Sequence, residues 1–460
     1  MPQRDHHMGF SKTMQENLTL DQQWERLLQE RLPANLEDQA RELGAFERVR
    51  HVERASDLLR GALSYVLNHT SLKELSLWSQ LSGTSDELLS SQNWHQRLRK
   101  CAPWLLGLFN EMLAAPLIQQ VWPVTAKRIR LVDATHVSCQ GRKGQTWRWH
   151  CGYDLLIGRL GWVQVTDKHV GESLKLVPVQ AGDILVADGA YSRANGLLHV
   201  ADGEAESLLR YSPAHLPLYA VGAPKADREH QLPMASWLSS LVPGLYERYG
   251  QVVWQGRSLL VRLVVQVLPE EQAENLRRQK QRQARDKGRA LSPEALFFAG
   301  FIMLVTTLSA QHWQAQDVLD LYRCRWQVEV LFKRIKQVLS MHTLRCHTPE
   351  TAQAMIAALL VAWLLIEDDV EGLRRQISDA EPSQCPLSSW RLARLAFRSL
   401  QKITEGDWNP RQIWALGPAL RSWLQEHRQR PLQEQQRRLQ LRHQLGIDPD
   451  LVVLFSCSSA

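Results

Sequence analysis

Long apolar runs are missing from this sequence. The longest, Ala354 to Ile366, stops at Glu367-Asp368-Asp369, well short of the roughly 20 apolar residues that a bilayer span needs. A buried helix is expected there, and no membrane partner. Cysteine is sparse and unmatched: the seven residues, at 101, 139, 151, 324, 346, 385 and 457, are odd in number and none stands in Cys-x-x-Cys spacing. That excludes a disulfide framework and predicts reduced thiols in a cytosolic protein. Cys346-His347 has no second ligand pair near it, which argues against zinc. The opening MPQRDHHMGF lacks the apolar core of a signal peptide. No internal repeat is present. Glycine and proline are scarce over the first 120 residues, where leucines recur at helical spacing. Acids are nearly absent from Arg277 to Arg289, which holds seven Lys and Arg against Asp286 alone. Like charges so crowded repel unless something neutralises them, so the stretch is either a solvated helix or loop or an arm that contacts phosphates.

What is present is ordinary globular material. The 460 residues are 44% hydrophobic and 22% charged, enough for two or three domains with real cores. A net charge of +7 favours a polyanionic partner, although its distribution matters more than its sum. Within the helical first part, Ser71 to Leu81 and Asp86 to Lys100 read as two helices about a Ser82-Gly83-Thr84 turn. That spacing resembles a helix-turn-helix, and the second helix ends in Arg97, Arg99 and Lys100. An ordinary hairpin with solvated charges is the alternative.

From about 128 the pattern turns to strands. Arg128 to Val137 alternates and places Ile129, Leu131, Asp133, Thr135 and Val137 on one face. Gly161 to Thr166 is a further strand, and Ile184-Leu-Val-Ala is a compact apolar run ending at Asp188. Strand-like runs follow at Gln251 to Trp254, Leu259 to Leu268 and Phe301 to Leu308. Long helices are expected from about Gln316 to Leu339 and from 349 to 377, and the Gln- and Arg-rich end is helical with a break at Pro431. On an ideal helix Tyr322, Arg325, Glu329 and Lys336 fall within an arc of about 60°. Leu321, Val328, Phe332, Ile335 and Leu339 form an apolar stripe beside it. Mixed charges line up on ordinary surface helices too. The strand-borne Asp133 and Asp188 weigh against that reading, because an unpaired carboxylate in apolar surroundings is costly. A divalent cation would offset the cost, and hard oxygen ligands suit Mg²⁺ or Mn²⁺.

These residues resemble the DDE transposases of the IS-four type, the group that includes the Tn-five transposase. Leu131-Val-Asp-Ala-Thr is similar to that family's first-aspartate strand. Ile184-Leu-Val-Ala-Asp-Gly-Ala-Tyr is similar to its second. Tyr322-x2-Arg325-x3-Glu329-x6-Lys336 fits its Tyr-Arg-Glu-Lys motif, with Trp326 after the arginine. Trp147-Arg-Trp-His-Cys-Gly-Tyr-Asp and Thr166-Asp-x3-Gly-Glu add to the likeness, which covers about 60 to 450. Two positions depart from it: Gly189 stands where an arginine often follows the second aspartate, and Ala134 where Gly or Ser is usual. Neither removes a ligand.

The resemblance implies an α/β fold, an RNase H-like catalytic core with a mostly β insertion, flanked by helical N- and C-terminal domains. Residues 1–120 would be a helical DNA-binding domain, 121–345 the catalytic domain with its insertion at about 200–300, and 346–460 a helical region serving dimerisation. Asp133, Asp188 and Glu329 would be the catalytic metal ligands for Mg²⁺ or Mn²⁺. Tyr322, Arg325 and Lys336 would contact phosphates, and Trp254 is the candidate for stacking on a flipped base. The implied function is cut-and-paste transposition: metal-dependent cleavage at element ends and strand transfer into target DNA. The partners would be double-stranded DNA, as terminal inverted repeats and target, and a second copy of the chain. The place would be the cytoplasm, at the nucleoid. The rivals are a catalytically silent or domesticated DNA-binding protein, an RNase H-like structure-specific nuclease, and a purely structural helical protein, the last of which leaves the buried aspartates unexplained.

Overall fold

The computed structural model describes residues 18–49, 51–82, 84–85, 89–114, 128–139, 146–286, 288–341, 343–344, 346, 348–380, 385–405 and 429–445. In chain order the first elements are α1 (Leu20–Arg31), α2 (Leu36–Glu42), α3 (Ala55–Leu67), α4 (Leu72–Leu81), α5 (Ser91–Lys100) and α6 (Ala102–Ala114). Then come β1 (Ile129–Cys139), β2 (Thr146–Asp154), β3 (Arg159–Asp167), β4 (Ile184–Ala187), α7 (Ala194–Asp202), β5 (Glu206–Arg210), α8 (Met234–Ser239), β6 (Gly244–Trp254) and β7 (Arg257–Val267). The chain continues through α9 (Glu270–Asp286), α10 (Pro293–Phe297), β8 (Phe301–Thr306), α11 (Ala315–Cys324), α12 (Trp326–Val338) and β9 (Thr343–Leu344). It closes with α13 (Pro349–Ala380), α14 (Ser389–Glu405) and α15 (Gln429–Gln444). Contacts group these into two units, one drawn from Met1–Ala115 and Cys346–Gln425, the other from Pro116–Arg345 and Glu426–Ala460.

The first unit is all helix and is built around α13. Every residue from Ala354 to Ile366 is buried, because α3, α5, α6 and α14 pack around the helix. By length and composition alone Pro349–Ile377 would reach across a bilayer. A helix that is apolar all round is equally what a crowded core demands. At Gly61 on α3 any Cβ would run into the Trp94 ring of α5, so glycine is what lets these helices approach. The second helix of the expected helix-turn-helix starts later than Asp86. Ser90 caps it, accepting from the Asn93 N–H at 3.2 Å, and Asp86 to Leu88 lie outside the described residues. The connection from Ser82 to Ser90 exceeds the three- to four-residue turn of such motifs. The basic end of α5 is partly spent within the unit, with Lys100 2.9 Å from Glu47 and Arg99 3.5 Å from Glu350.

The second unit is organised by one sheet of order β3-β2-β1-β4-β5-β8-β7-β6, with β9 pairing on β1. β1 runs antiparallel to β2 and parallel to β4, and β4 parallel to β5. These five strands make the RNase H-like core. The insertion adds β6, β7 and β8, all antiparallel, as a continuation of the same sheet, with α8 to α10 alongside. β4 is buried at all four positions, as befits a parallel strand covered on both faces. Two expectations are corrected. The helix expected from Gln316 to Leu339 is two, interrupted at Arg325, whose backbone stays helical (φ −50°, ψ −33°) while Val328 N–H bonds back to the Arg325 carbonyl at 3.2 Å in a tightened turn. Pro431 does not interrupt α15: it sits in the first turn of that helix, where its missing N–H costs no hydrogen bond, and the residues just before Gln429 lie outside the described residues.

Candidate active site

The strand register brings the two aspartates together. Val132 of β1 pairs with Ala187 of β4, and the next residue on each is Asp133 and Asp188, so two carboxylates leave neighbouring parallel strands side by side. The Asp133 side chain is 15% exposed, and its Oδ1 accepts the Ala134 N–H at 2.8 Å. Burial pushes its pKa up to about 7; nearby Asp188 and Glu329 add to the rise, while the Ala134 N–H and Arg325 oppose it. Asp188 caps the short 3-10 turn Gly189–Tyr191, accepting from Ala190 N–H at 2.9 Å.

Helix α12 lies against β1 and supplies the third acid. The Arg325 guanidinium links them, 3.5 Å from Asp133 Oδ2 and 2.5 Å from Glu329 Oε1. Burial works against the arginine's charge, yet Tyr322, Glu329 and Asp133 together hold its pKa above the ordinary value. Further along α12 the Lys336 amine donates to Thr135 Oγ1 at 2.6 Å and to the His136 carbonyl at 2.7 Å, and burial lowers its pKa. Tyr322 sits at the end of α11, its ring centroid 5.9 Å from the Arg325 guanidinium carbon. The four motif residues therefore stay together despite the break at Arg325. The three carboxylates converge on one locality without forming a tight cage. Among the described residues the only His, Cys, Asp or Glu group whose ligand atoms lie within 4.8 Å of one another is Asp227, Glu229 and His230. There Asp227 is already paired with His230 at 2.5 Å and Lys225 at 3.1 Å.

Trp254 stands apart. It ends β6 at the tip of the β6–β7 hairpin, beside the Gln255–Gly256 turn whose residues both have positive φ, 49° and 75°, as a type I′ turn requires. It is 45% exposed, not the core tryptophan that its strand position made the commoner outcome. Among the described residues no hydrogen bond, ion pair or ring contact joins it to the triad.

Four further residues belong to this locality and were not singled out from sequence. Glu172, in the Thr166-Asp-x3-Gly-Glu stretch, has its pKa raised by burial and by Asp188. The buried Tyr191 hydroxyl, without a hydrogen-bond partner, is raised by burial and then by Asp133, Glu172 and Asp188. Arg210, at the end of β5, donates to the Phe301 carbonyl at 3.0 Å and lies close to Tyr322 and Arg325, with burial lowering its pKa. Lys280 of α9 is lowered by burial and by Arg210. The Tyr191 position was visible inside the second-aspartate motif. Arg210 carries no local signal, because its neighbours come from α9 and α11.

The donor set is entirely carboxylate oxygen, half-buried, and richer in negative charge than the single bridging arginine can balance, which fits a hard divalent cation. Residues 125–365 match the family model described as "Transposase DDE domain". The chain is 32% identical over 346 residues to the InsL protein of insertion sequence element IS186A from Escherichia coli strain K12, an alignment covering 74% of this chain and 91% of that protein. It is 32% identical over 347 residues to the transposase for insertion sequence element IS421 of Escherichia coli, with 74% and 91% covered. Against the transposase for element IS231E of Bacillus thuringiensis subsp. finitimus the identity is 23% over 386 residues, with 77% and 80% covered.

Proposed function

Because the chain belongs to the DDE transposase family, metal-dependent enzymes that cleave and transfer DNA strands, we propose that Asp133, Asp188 and Glu329 are its catalytic metal ligands and that it works by cut-and-paste transposition. The observation that carries the assignment is the β1–β4 register, which sets Asp133 beside Asp188, with Glu329 tied to Asp133 through Arg325. Mg²⁺, or Mn²⁺, held by these oxygens would activate a water or a 3′-hydroxyl and stabilise the leaving oxygen. The chain's own groups do the rest. Arg325 and Lys336 each present a cation to phosphates beside the acids, and Arg325 can exchange a carboxylate for a phosphate oxygen with the same forked geometry. Tyr322 and Arg210 flank Arg325 and extend that anion-binding side. Trp254, exposed at a hairpin tip, offers an indole face for a base displaced from the stack.

The DNA acted on would be terminal inverted repeats and target duplex, with two copies of the chain holding two ends. The helical 1–120 region would bind the repeats and the 346–460 region would serve dimerisation, in the cytoplasm at the nucleoid. Asp188→Ala and Glu329→Ala, assayed on a duplex carrying the element's end with Mg²⁺, should each lose nicking by about a thousandfold or more, since ion-assisted charge stabilisation supplies several kcal/mol. Activity retained in either variant sinks the triad. Duplex binding retained by a wild-type protein that never nicks would favour the silent DNA-binding reading.

A further inference from the structure

Helix α9 resolves the basic stretch into two unlike parts. Its early cations are spent locally: Arg277 lies 2.6 Å from Glu270 and 3.6 Å from Glu274, and Arg278 lies 3.1 Å from Glu274. Beyond them come Lys280, Arg282 and Arg285, and among the described residues no ion pair or side-chain hydrogen bond reaches any of the three. On an ideal helix Arg277, Lys280 and Ala284 share the side of the buried Ala273, while Arg282 and Arg285 face away. That inner side docks on Gly300, where a Cβ would come within 3.0 Å of the Arg277 guanidinium and 3.4 Å of the Ala273 Cβ. Arg210 reaches the same spot from β5, donating to the carbonyl of the next residue, Phe301, at 3.0 Å. A Cβ at Gly189, just after Asp188, would in turn lie 3.5–3.8 Å from the Arg210 backbone and side chain.

A continuous structural link therefore joins Asp188 to α9, and along it Lys280, Arg210 and Arg325 follow one another as cations. The acids near Arg325 do not serve Lys280, whose amine already feels the repulsion of Arg210. Two cations held together by a rigid helix and a strand end, with no acid supplied, suit a polyanion. Phosphates repeat along a nucleic acid backbone, so a strand whose scissile linkage sits at the carboxylates carries others past Arg210.

Resting on the triad reading above, we propose that Lys280 binds a backbone phosphate of the DNA strand engaged in the active site, with α9 as the post that holds its amine beyond Arg210. A phosphate contact is blind to sequence, so a blunt-ended duplex of arbitrary sequence serves as the probe, measured with the full chain in chelator so that no cleavage intervenes. Lys280→Gln should weaken binding and reduce the slope of log affinity against log salt by about 1, and Lys280→Arg should restore both. Arg278→Gln removes the same charge from the same helix at an ion-paired site and should change the slope by less than half as much. A Lys280→Gln slope equal to that of wild type, or no larger a change than Arg278→Gln produces, overturns the proposal. Binding without cleavage keeps this test separate from the triad. If Asp188→Ala still nicks DNA the triad falls whatever Lys280 does; if it does not and the Lys280 slope is unchanged, only the α9 contact falls.

Discussion

The strand pair β1–β4 carries an acid–arginine cluster at each end, and the two ends are built to opposite rules. At the amino-terminal end Asp183, 2% exposed, accepts from Arg128 at 2.7 and 2.9 Å, from buried Arg130, and from the Gln180 N–H at 2.9 Å. Both carboxylate oxygens there have donors, one on Oδ1 and three on Oδ2. At the carboxyl-terminal end Asp133 and Glu329 share one guanidinium, with Asp188 beside Asp133 and Glu172 close behind. The same residue types gathered at the two ends of one strand pair thus give a neutralised clamp at one end and an unbalanced, half-open acid cluster at the other. A buried pair satisfied on all sides costs the fold little, whereas a surplus carboxylate is a standing electrostatic cost. Carboxylates gather in surplus where Asp133, Asp188, Glu329 and Glu172 meet, which marks the end where charge is to be received.

The sharpest way to break the comparison is to unbalance the balanced end. Asp183→Ala leaves Arg130 buried and unpaired, and should destabilise the fold by about 3–5 kcal/mol, read as a fall in urea midpoint. A loss below about 1 kcal/mol would mean that the clamp is no clamp. Asp154, buried near the same arginines, gives a pH-dependent version of the test. Burial raises its pKa to about 6 against the opposing Ile157 N–H, Arg128, Leu156 N–H and Arg130. A carboxyl whose folded pKa lies above its unfolded value favours folding while protonated. Its contribution is full below about pH 4, shrinks as pH rises to about 6 and is flat beyond, a change of at most about 3 kcal/mol. Asp154→Asn should remove that slope between pH 4 and 6 in stability measured by urea. An identical slope in both proteins would exclude Asp154 as its source.

Much of this was legible in the sequence. Ile184 to Ala187 ends in an acid and is too short and apolar to be anything but a buried strand, and the alternation of Arg128 to Val137 placed Asp133 correctly. The Tyr322 to Lys336 spacing put four side chains on one face, and the structure keeps them together. What escaped depended on chain segments far apart. Arg130 sits in an apolar strand that offers no hint of Asp183 as its partner, and Arg210 is defined by α9 and α11. The break at Arg325 left only a weak trace in propensity: Cys324, Trp326 and Val328 are middling helix formers, and neither Gly nor Pro stands there. The second helix of the expected pair begins at Ser91 and not at Asp86, because a serine cap at Ser90, not the charge pattern, decides where α5 begins.

The other end of the comparison yields a smaller effect of opposite sign. Asp133→Asn keeps the shape and removes the charge whose pKa is raised to about 7 by burial, Asp188 and Glu329. In chelator and above pH 7 the variant should melt higher than wild type, by about 1–2 kcal/mol once partial exposure is discounted. Below about pH 4, where the wild-type acid is protonated in both states, the gain should vanish. Nicking with Mg²⁺ should be lost throughout. A variant that melts lower at pH 8 would place Asp133 with the structural acids.

Lys336 lies between the two classes and should give the smallest change in stability. Its amine is tied to Thr135 Oγ1 and to the His136 carbonyl, contacts that seat α12 on β1 just past Asp133, while its position beside the acids suits it to a phosphate. Thr135 and His136 lie towards solvent, so water can replace the amine, and Lys336→Ala should cost the fold no more than about 1 kcal/mol. Losing a charged group aimed at substrate should cost more in cleavage, about tenfold or above, because a charge-assisted contact is worth about 1.5–3 kcal/mol. Lys336→Arg should recover most of the cleavage loss if charge is what counts, and little if the two local hydrogen bonds are, since a guanidinium cannot repeat their geometry from the same backbone position. A Lys336→Ala protein with unchanged cleavage and a melting point several degrees lower would move Lys336 out of the active site and make it a helix clasp, the counterpart on α12 of what Asp183 is at the start of β4.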